Sequence, residues 1–220
     1  PNAVSPKRQH PDLDNTLVAL EALRASESLN PVAEQNASAP RLDWASAIEF
    51  ISRCQNLQPS VGGGSLGAEG AASEKGGFVY YPGFSNAGEI TDGDGNKALR
   101  SSGTMSYAGL LSFIYAEIPK EDARTVAALR WLRSHYTLKE NPGLGAQGLF
   151  YYYHLMSKAL TASGVERFQT SVGERLWKRE LALELINLQD HQGFWVNQTG
   201  RWMEKDPVLV TSYALLTLGR

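Results

Sequence analysis

The sequence predicts an all-α fold in which nearly uniformly apolar helices alternate with amphipathic ones. Three observations support this fold class: apolar residues recur at helical spacing along most of the chain, four segments are apolar on every side, and one helix end carries the turn sequence Gln-x-x-x-Gly-x-Trp. Because an apolar helix cannot face water, neighbouring helices must cover it. We therefore expect stacked hairpins, each made of an inner, apolar helix and an outer, amphipathic helix.

The predicted inner helices are the segments in which apolar residues occupy almost every position. They cover residues 17–23, 105–116, 149–160 and 208–218. The first and the last share a Thr-x-x-Ala-Leu-x-x-Leu pattern, which begins at Thr16 and at Thr211. This shared register indicates an internal repeat.

The predicted outer helices are apolar on one face only. The positions that define these faces are Trp44, Ile48 and Ile51, then Val126, Leu129, Leu132 and Tyr136, then Trp177, Leu181, Leu185 and Leu188. Together with the inner segments they predict three complete hairpins and one closing helix. An irregular helical bundle is the alternative arrangement.

The turn sequence follows the last outer helix. Gln189 lies where helix carbonyls lack partners, so its amide is expected to bind one of them and an N–H of a neighbouring helix. Gly193 permits the positive φ that reverses the chain, and Trp195 is expected to cover the joint.

Residues 59–100 interrupt the helical pattern and are predicted to form a long loop inserted into a single domain, 1–220. The stretch holds 11 glycines, and its apolar island at 78–82 predicts that part of it folds back onto the body. Glycine patterns at 62–67 resemble nucleotide and hydrolase motifs, but they follow a helix where a strand is required. Asp92, Asp94 and Asn96 have the spacing of a calcium loop, yet Gly103 stands where its glutamate belongs, which favours a solvated turn. We therefore predict neither a cofactor nor a metal.

Composition excludes several classes of partner. A formal net charge of -2 and scattered basic residues do not provide the positive field that nucleic acid requires. The single cysteine, Cys54, lies on a predicted helix and is interpreted as a buried apolar side chain. No apolar run of about 18 residues predicts a membrane span, so we expect a soluble protein, with the compartment and contact with a membrane surface left open.

The chain resembles the prenyltransferase/squalene oxidase repeat proteins, and among these the bacterial squalene-hopene-cyclase-like terpenoid cyclases. The resemblance is carried by the alternating helices, the turn at 189–195, the Asp-Leu-Asp-Asn-Thr sequence at 12–16 and the Gly-Leu-Phe-Tyr-Tyr-Tyr-His sequence at 148–154. It implies an α/α toroid whose inner helices line an apolar cavity. For active members it implies an isomerase that cyclises a linear polyprenyl substrate by protonation, without metal or cofactor.

The resemblance also implies catalytic residues. In such cyclases an Asp-x-Asp-Asp-Thr motif supplies the acid, and its second aspartate delivers the proton. Carried over, that acid is Asp14, with Asp12 beside it and Asn15 in place of the third aspartate. Capping of the first inner helix is the alternative role for Asp14. Against a purely structural role, Ser101 and Gly103 occupy the matching positions of the second inner helix.

Aromatic residues on the predicted inner helices are candidates for the cavity wall. We expect Tyr107, Tyr152, His154 and Tyr213 to contribute to substrate binding, because aromatic faces stabilise a nearby cation. Filling of the core is the alternative for the tyrosines, and a structural role the alternative for His154.

The chain is short for a closed ring, which would need roughly six hairpins of about 50 residues. It also begins at Pro1 rather than Met, which favours a fragment or a processed protein. Completion of the ring by another chain, as in a homo-oligomer, is a further arrangement. A non-catalytic repeat scaffold that binds a lipid or protein partner is the alternative function.

Overall fold

The structure, a computed structural model, describes residues 10–29, 43–57, 71–95 and 97–220. Within these ranges the chain is mainly helical. The helices are α1 (Leu13–Leu29), α2 (Trp44–Arg53), α3 (Gly103–Tyr115), α4 (Ala123–Ser134), α5 (Leu149–Ala162), α6 (Trp177–Leu188) and α7 (Pro207–Leu218). The prediction of a mainly helical chain is thereby confirmed. The glycine patterns at 62–67 and the Asn96 position of the calcium-like spacing lie outside the described residues.

Helix starts follow from local side chains. The carboxylate of Asp43 accepts from the N–H of Ser46 at the start of α2, and Asp122 and Asp206 cap α4 and α7 in the same way. The hydroxyl of Ser102 caps α3. In contrast, α5 begins after Gly148, which has no side chain to offer its N–H groups.

The odd-numbered helices lie side by side in the order α1, α3, α5 and α7, and α2 and α4 pack against α3. In α3 every residue from Gly103 to Phe113 is buried. The outer face of α6 is exposed, while Trp177, Leu181 and Leu185 join the core. The four apolar helices therefore form one layer, and the amphipathic helices α2 and α4 cover it at α3.

Shielding of the apolar layer is incomplete at its two ends. On α7 the side chains of Leu215 and Leu216 are 57% and 53% exposed, and on α1 that of Val18 is 57% exposed. Both helices have a close odd-numbered neighbour on one side only, within the described residues. The prediction that all four inner helices are covered is thus wrong for α1 and α7.

Two small antiparallel sheets depart from a strictly all-α fold. Strands β1 (Glu89–Thr91) and β2 (Lys97–Leu99) pair, as do β3 (Phe168–Thr170) and β4 (Gly173–Arg175). Each pair is joined by a short turn, and the first turn includes the N–H of Gly95 donating to the carbonyl of Asp92. Segments without helical periodicity can pair in this way once a turn brings them together.

The second half of the glycine-rich insertion folds back onto the helices, as predicted. Phe78 is fully buried and forms bridges to Gln55 and Ser102. The carboxylate of Glu74 accepts from the N–H of Ser101 at 2.5 Å. A Cβ at Gly109 of α3 would lie 2.4 Å from the Phe78 ring, so the close approach requires glycine there.

The turn after α6 is formed largely as expected. Gly193 has φ of +92°, and Trp195 is buried. The Gln189 amide differs from the prediction, because it donates to the carbonyl of Gly193 at 2.9 Å within its own turn. Short-range closure of the turn satisfies this amide without a neighbouring helix.

Cys54 is buried, and burial raises the pKa of its thiol to about 12. This environment agrees with its interpretation as a core side chain. None of the helices in the described ranges has the length and apolarity that crossing a bilayer demands.

Candidate functional site

A cleft of about 450 Å³ opens beside the first turns of α1, α3 and α5 and is bounded by α7. Its wall combines aromatic and acidic side chains: Tyr80, Tyr151, Trp202, Tyr213, Asp14 and Glu204. The lining also includes the small polar groups of Ser102 and Thr104 and the apolar side chains of Val18, Met105 and Leu144. Because the N-terminal ends of three helices meet here, their dipoles favour negative charge at this edge of the fold.

Asp12 is the N-terminal cap of α1. Its Oδ1 accepts from the backbone N–H of Asn15 and its Oδ2 from the Asn15 side-chain amide, both at 2.8 Å. The capping role considered for Asp14 therefore belongs to Asp12. The amide at position 15 also has a structural reason, because an aspartate there would place a second carboxylate against Asp12.

Asp14 lies two residues after Asp12, in the first turn of α1, and lines the cleft. The hydroxyl of Tyr151 donates to its Oδ1 at 2.5 Å, which joins α1 to α5. Burial raises the pKa of Asp14; the Tyr151 hydrogen bond opposes this shift and the nearby charge of Asp12 adds to it. Asp14 consequently retains its proton to a higher pH than a free aspartate does.

Tyr151, His154 and Tyr213 form an aromatic group beside Asp14. The ring centroids are 5.3 Å apart for Tyr151 and Tyr213, and 5.8 Å apart for His154 and Tyr213. Burial, followed by the charges of Arg220 and Lys158, lowers the pKa of His154 to about 4, so its ring is neutral at pH 7. Of the predicted residues Tyr213 lines the cleft, whereas His154 packs behind the lining.

Tyr107 and Tyr152 do not lie at the cleft. Both are buried in the core, with ring centroids 5.7 Å apart, and the hydroxyl of Tyr152 donates to the carbonyl of Thr137 at 2.8 Å. Residues 150–153 project around α5 at about 100° steps, and the one that reaches the cleft is Tyr151. The predicted placement of Tyr107 and Tyr152 is corrected accordingly.

Glu204 is an acidic residue of the site that sequence reasoning missed. It is fully buried, and its Oε1 accepts from the N–H of Tyr151 at 2.9 Å while Oε2 accepts from the Asn197 amide at 2.6 Å. Burial raises its pKa, and these hydrogen bonds reduce the effect. The sequence signal that could have indicated such a residue is Gly148. A helix that starts after glycine has no side-chain cap of its own, so its first N–H groups need an acceptor from elsewhere in the chain.

The charge of the cleft limits its ligands. Among the described residues that line it, two are carboxylic acids and none is Lys, Arg or His. The described ranges also contain no group of three or more His, Cys, Asp or Glu side chains placed to hold a metal ion. The arrangement can donate a proton from Asp14 and can stabilise positive charge on aromatic faces.

Comparison of the chain with protein-family models, with curated proteins and with solved structures gives no match.

Proposed function

We propose that the protein is a terpenoid-cyclase-like isomerase that binds an apolar polyprenyl chain and starts its cyclisation with a proton from Asp14. The layered helices would then form an arc of an α/α toroid, with the cleft on its inner side. The observation that carries the proposal is the partly buried Asp14 carboxyl, which shares a cleft with Tyr80, Tyr151, Trp202 and Tyr213.

The environment of Asp14 suits proton donation to an alkene. The O–H bond of its carboxyl breaks, a C–H bond forms at one alkene carbon, and positive charge develops at the other. The raised pKa favours the protonated form that must donate, and the Tyr151 hydroxyl stabilises the carboxylate that remains. The final cation then loses a proton from carbon to water, and the Asp14 carboxylate regains a proton from solvent, so the product is an isomer of the substrate.

Aromatic faces favour the cationic stage. Each face within about 6 Å of a cation stabilises it by about 0.5 to 2 kcal/mol, with the larger values where water is excluded. Tyr151 and Tyr213 lie together beside Asp14, so the new charge would form next to them. Because His154 is neutral at pH 7, it does not repel a cation that forms beside Tyr151 and Tyr213.

Charge favours a neutral substrate. The described lining residues of the cleft include two carboxyl groups and no Lys, Arg or His, so only the helix dipoles would offset the charge of a diphosphate. A polyprenyl hydrocarbon or alcohol needs no such counter-charge. The proposal therefore names neutral polyprenyl compounds as substrates.

The test is incubation with squalene and with shorter polyprenols, followed by chromatographic analysis of the products. Cyclic product from the wild type but not from Asp14→Asn would support the proposal, because the amide keeps the shape and removes the acidic proton. Asp94→Asn, in the exposed turn after β1, is the matched control and should retain activity. Equal product from Asp14→Asn, or none from the wild type, would contradict it.

A second candidate function is a non-catalytic repeat scaffold that binds a lipid or protein partner. It is favoured by the exposed apolar side chains of Leu215 and Leu216 on α7 and of Ile186 on α6. Leu216→Asp should then weaken self-association in light scattering or binding to lipid vesicles. Val172→Asp, an exposed apolar position on the β3–β4 turn, is the control that should leave both unchanged.

A further inference from the structure

Tyr151 connects the two acids of the cleft. Its backbone N–H donates to Glu204 at 2.9 Å, and its hydroxyl donates to Asp14 at 2.5 Å. Glu204 precedes α7, Tyr151 lies in the first turn of α5, and Asp14 lies in the first turn of α1. One side chain and its own peptide group therefore join three distant parts of the chain.

Glu204 takes the place of the missing cap of α5. Gly148 has a left-handed conformation and supplies no side-chain acceptor, so the first N–H groups of the helix need one from outside. A carboxylate is well suited to that position, because its hydrogen bonds are charge-assisted and the helix dipole favours it. The first turn of α5 is thus held by a residue more than 50 positions away in the sequence.

Glu204 is itself held on its other side. The Asn197 amide donates to Oε2 of Glu204 and also to the carbonyl of Ala146, while the Asn197 N–H donates to the Glu204 carbonyl. The turn before it has unusual backbone angles, with φ of +55° at Trp202 and +65° at Met203. Non-glycine residues rarely adopt this region, and such conformations persist where surrounding contacts fix them.

We propose that Glu204 is a positioning residue for Asp14: it fixes the first turn of α5 and thereby keeps the Tyr151 hydroxyl directed at the Asp14 carboxyl. The consequence for catalysis rests on the function proposed above. The positioning itself does not, because it concerns only contacts within the protein.

The effect on Asp14 can be measured through its titration. Among the described residues, the titratable side chains that act on it include Asp12 beside it, Tyr151 from α5 and Tyr213 from α7. The Tyr151 hydrogen bond lowers the pKa of Asp14 against the effect of burial. Weakening that bond should therefore raise the pKa further, whether the change is made at Tyr151 or at Glu204.

The experiment is a double-mutant cycle with the Asp14 pKa measured by carboxyl ¹³C NMR. Tyr151→Phe and Glu204→Ala should each raise it, and the double variant should raise it no more than Tyr151→Phe alone. Glu204→Gln keeps an oxygen that can accept from Tyr151, so its increase should be smaller than that of Glu204→Ala. This milder variant also supplies the measurement if Glu204→Ala does not fold.

Asp206→Asn is the matched control. Asp206 lies two residues from Glu204 and caps α7 through the N–H of Val208 at 2.9 Å, but it does not line the cleft. It should lower the melting temperature without changing the pKa of Asp14. An unchanged pKa in both Glu204 variants, or additive shifts in the double variant, would overturn the proposal. Absence of cyclase activity would overturn only the proposed function, since the titration requires no substrate.

Discussion

The indole N–H of Trp195 donates to the carbonyl of Leu185 at 2.8 Å, in the last turn of α6. In a continuing helix that carbonyl would accept from the N–H of Gln189, but this N–H donates to the carbonyl of Ile186 instead. The tryptophan of the turn therefore closes the end of the preceding helix, and its ring is buried as it does so. One side chain provides both an apolar cover and a C-terminal hydrogen bond.

Replacement of Trp195 by Phe should destabilise the fold. The phenyl ring retains much of the apolar contact but leaves the Leu185 carbonyl without its donor, and an unpaired buried acceptor costs about 1–3 kcal/mol. Urea denaturation should show this decrease in the free energy of unfolding. Trp202→Phe is the comparison, because that tryptophan is 44% exposed and should change stability much less. Equal effects at the two positions would contradict this account of the turn.

Close packing of Gly109 against Phe78 gives a second prediction. A methyl group at position 109 would lie 2.4 Å from the Phe78 ring, so Gly109→Ala must displace the ring or α3. Such overpacking costs about 1–3 kcal/mol, which exceeds the gain in helix propensity of about 1 kcal/mol. Gly93→Ala is the control, since a Cβ there meets no atom within 4 Å. A melting temperature for Gly109→Ala at or above that of the wild type would show that the insertion is not packed on α3 in this way.

Much of the fold could be predicted from the sequence because its helices are marked by local patterns. The apolar run at 149–160 coincides with α5, and the turn residues Gly193 and Trp195 have the roles their chemistry suggests. The β1–β2 and β3–β4 pairs were missed, because three-residue strands depend on turns and on contacts with the helices more than on a repeating pattern.

The candidate site was harder to predict because it depends on helix orientation and long-range contacts. The resemblance suggests Asp14 as a site residue, but the rotation of α5 decides which of the four consecutive aromatic residues faces Asp14. Tyr151 is the residue that does so, whereas Tyr152 turns to the core. Gly148 signals that α5 needs an outside acceptor, but Glu204 has no periodic or motif signal of its own, and only the folded chain brings it to the start of α5.

His154 gives a prediction about acid sensitivity. Its pKa is about 4 in the fold, against 6.5 for an unperturbed histidine, so the folded state binds this proton less tightly than the unfolded state does. The corresponding stability is present above pH 6.5 and is lost as the pH falls towards 4. In His154→Phe the ring can still stack on Tyr151 and Tyr213, while Nδ1, which has no hydrogen-bond partner among the described residues, is removed.

Chemical denaturation of the wild type and of His154→Phe at pH 7, 5.5 and 4.5 tests the predicted acid sensitivity. The free energy of unfolding should fall less steeply with pH in His154→Phe than in the wild type. The wild-type histidine should titrate well below pH 6.5 by NMR. Parallel pH profiles for the two proteins would show that His154 is not buried in its neutral form.

Asp14 should have the opposite sign of pH dependence. Burial raises its pKa above the usual 3.8, so the folded state binds this proton more tightly than the unfolded state does. Its contribution to stability is complete below pH 3.8 and is lost as the pH rises through the folded pKa, where a partly buried carboxylate must be kept charged.

Asp14→Asn removes that charge and retains an oxygen that accepts from the Tyr151 hydroxyl. The melting temperature of Asp14→Asn minus that of the wild type should therefore be higher at pH 7 than at pH 3.5. A variant that is destabilised equally at both pH values would indicate that the fold does not raise the pKa of Asp14, and one that is destabilised more at pH 7 would indicate that the fold stabilises the carboxylate. In either case proton donation from Asp14 at neutral pH would lose its physical basis.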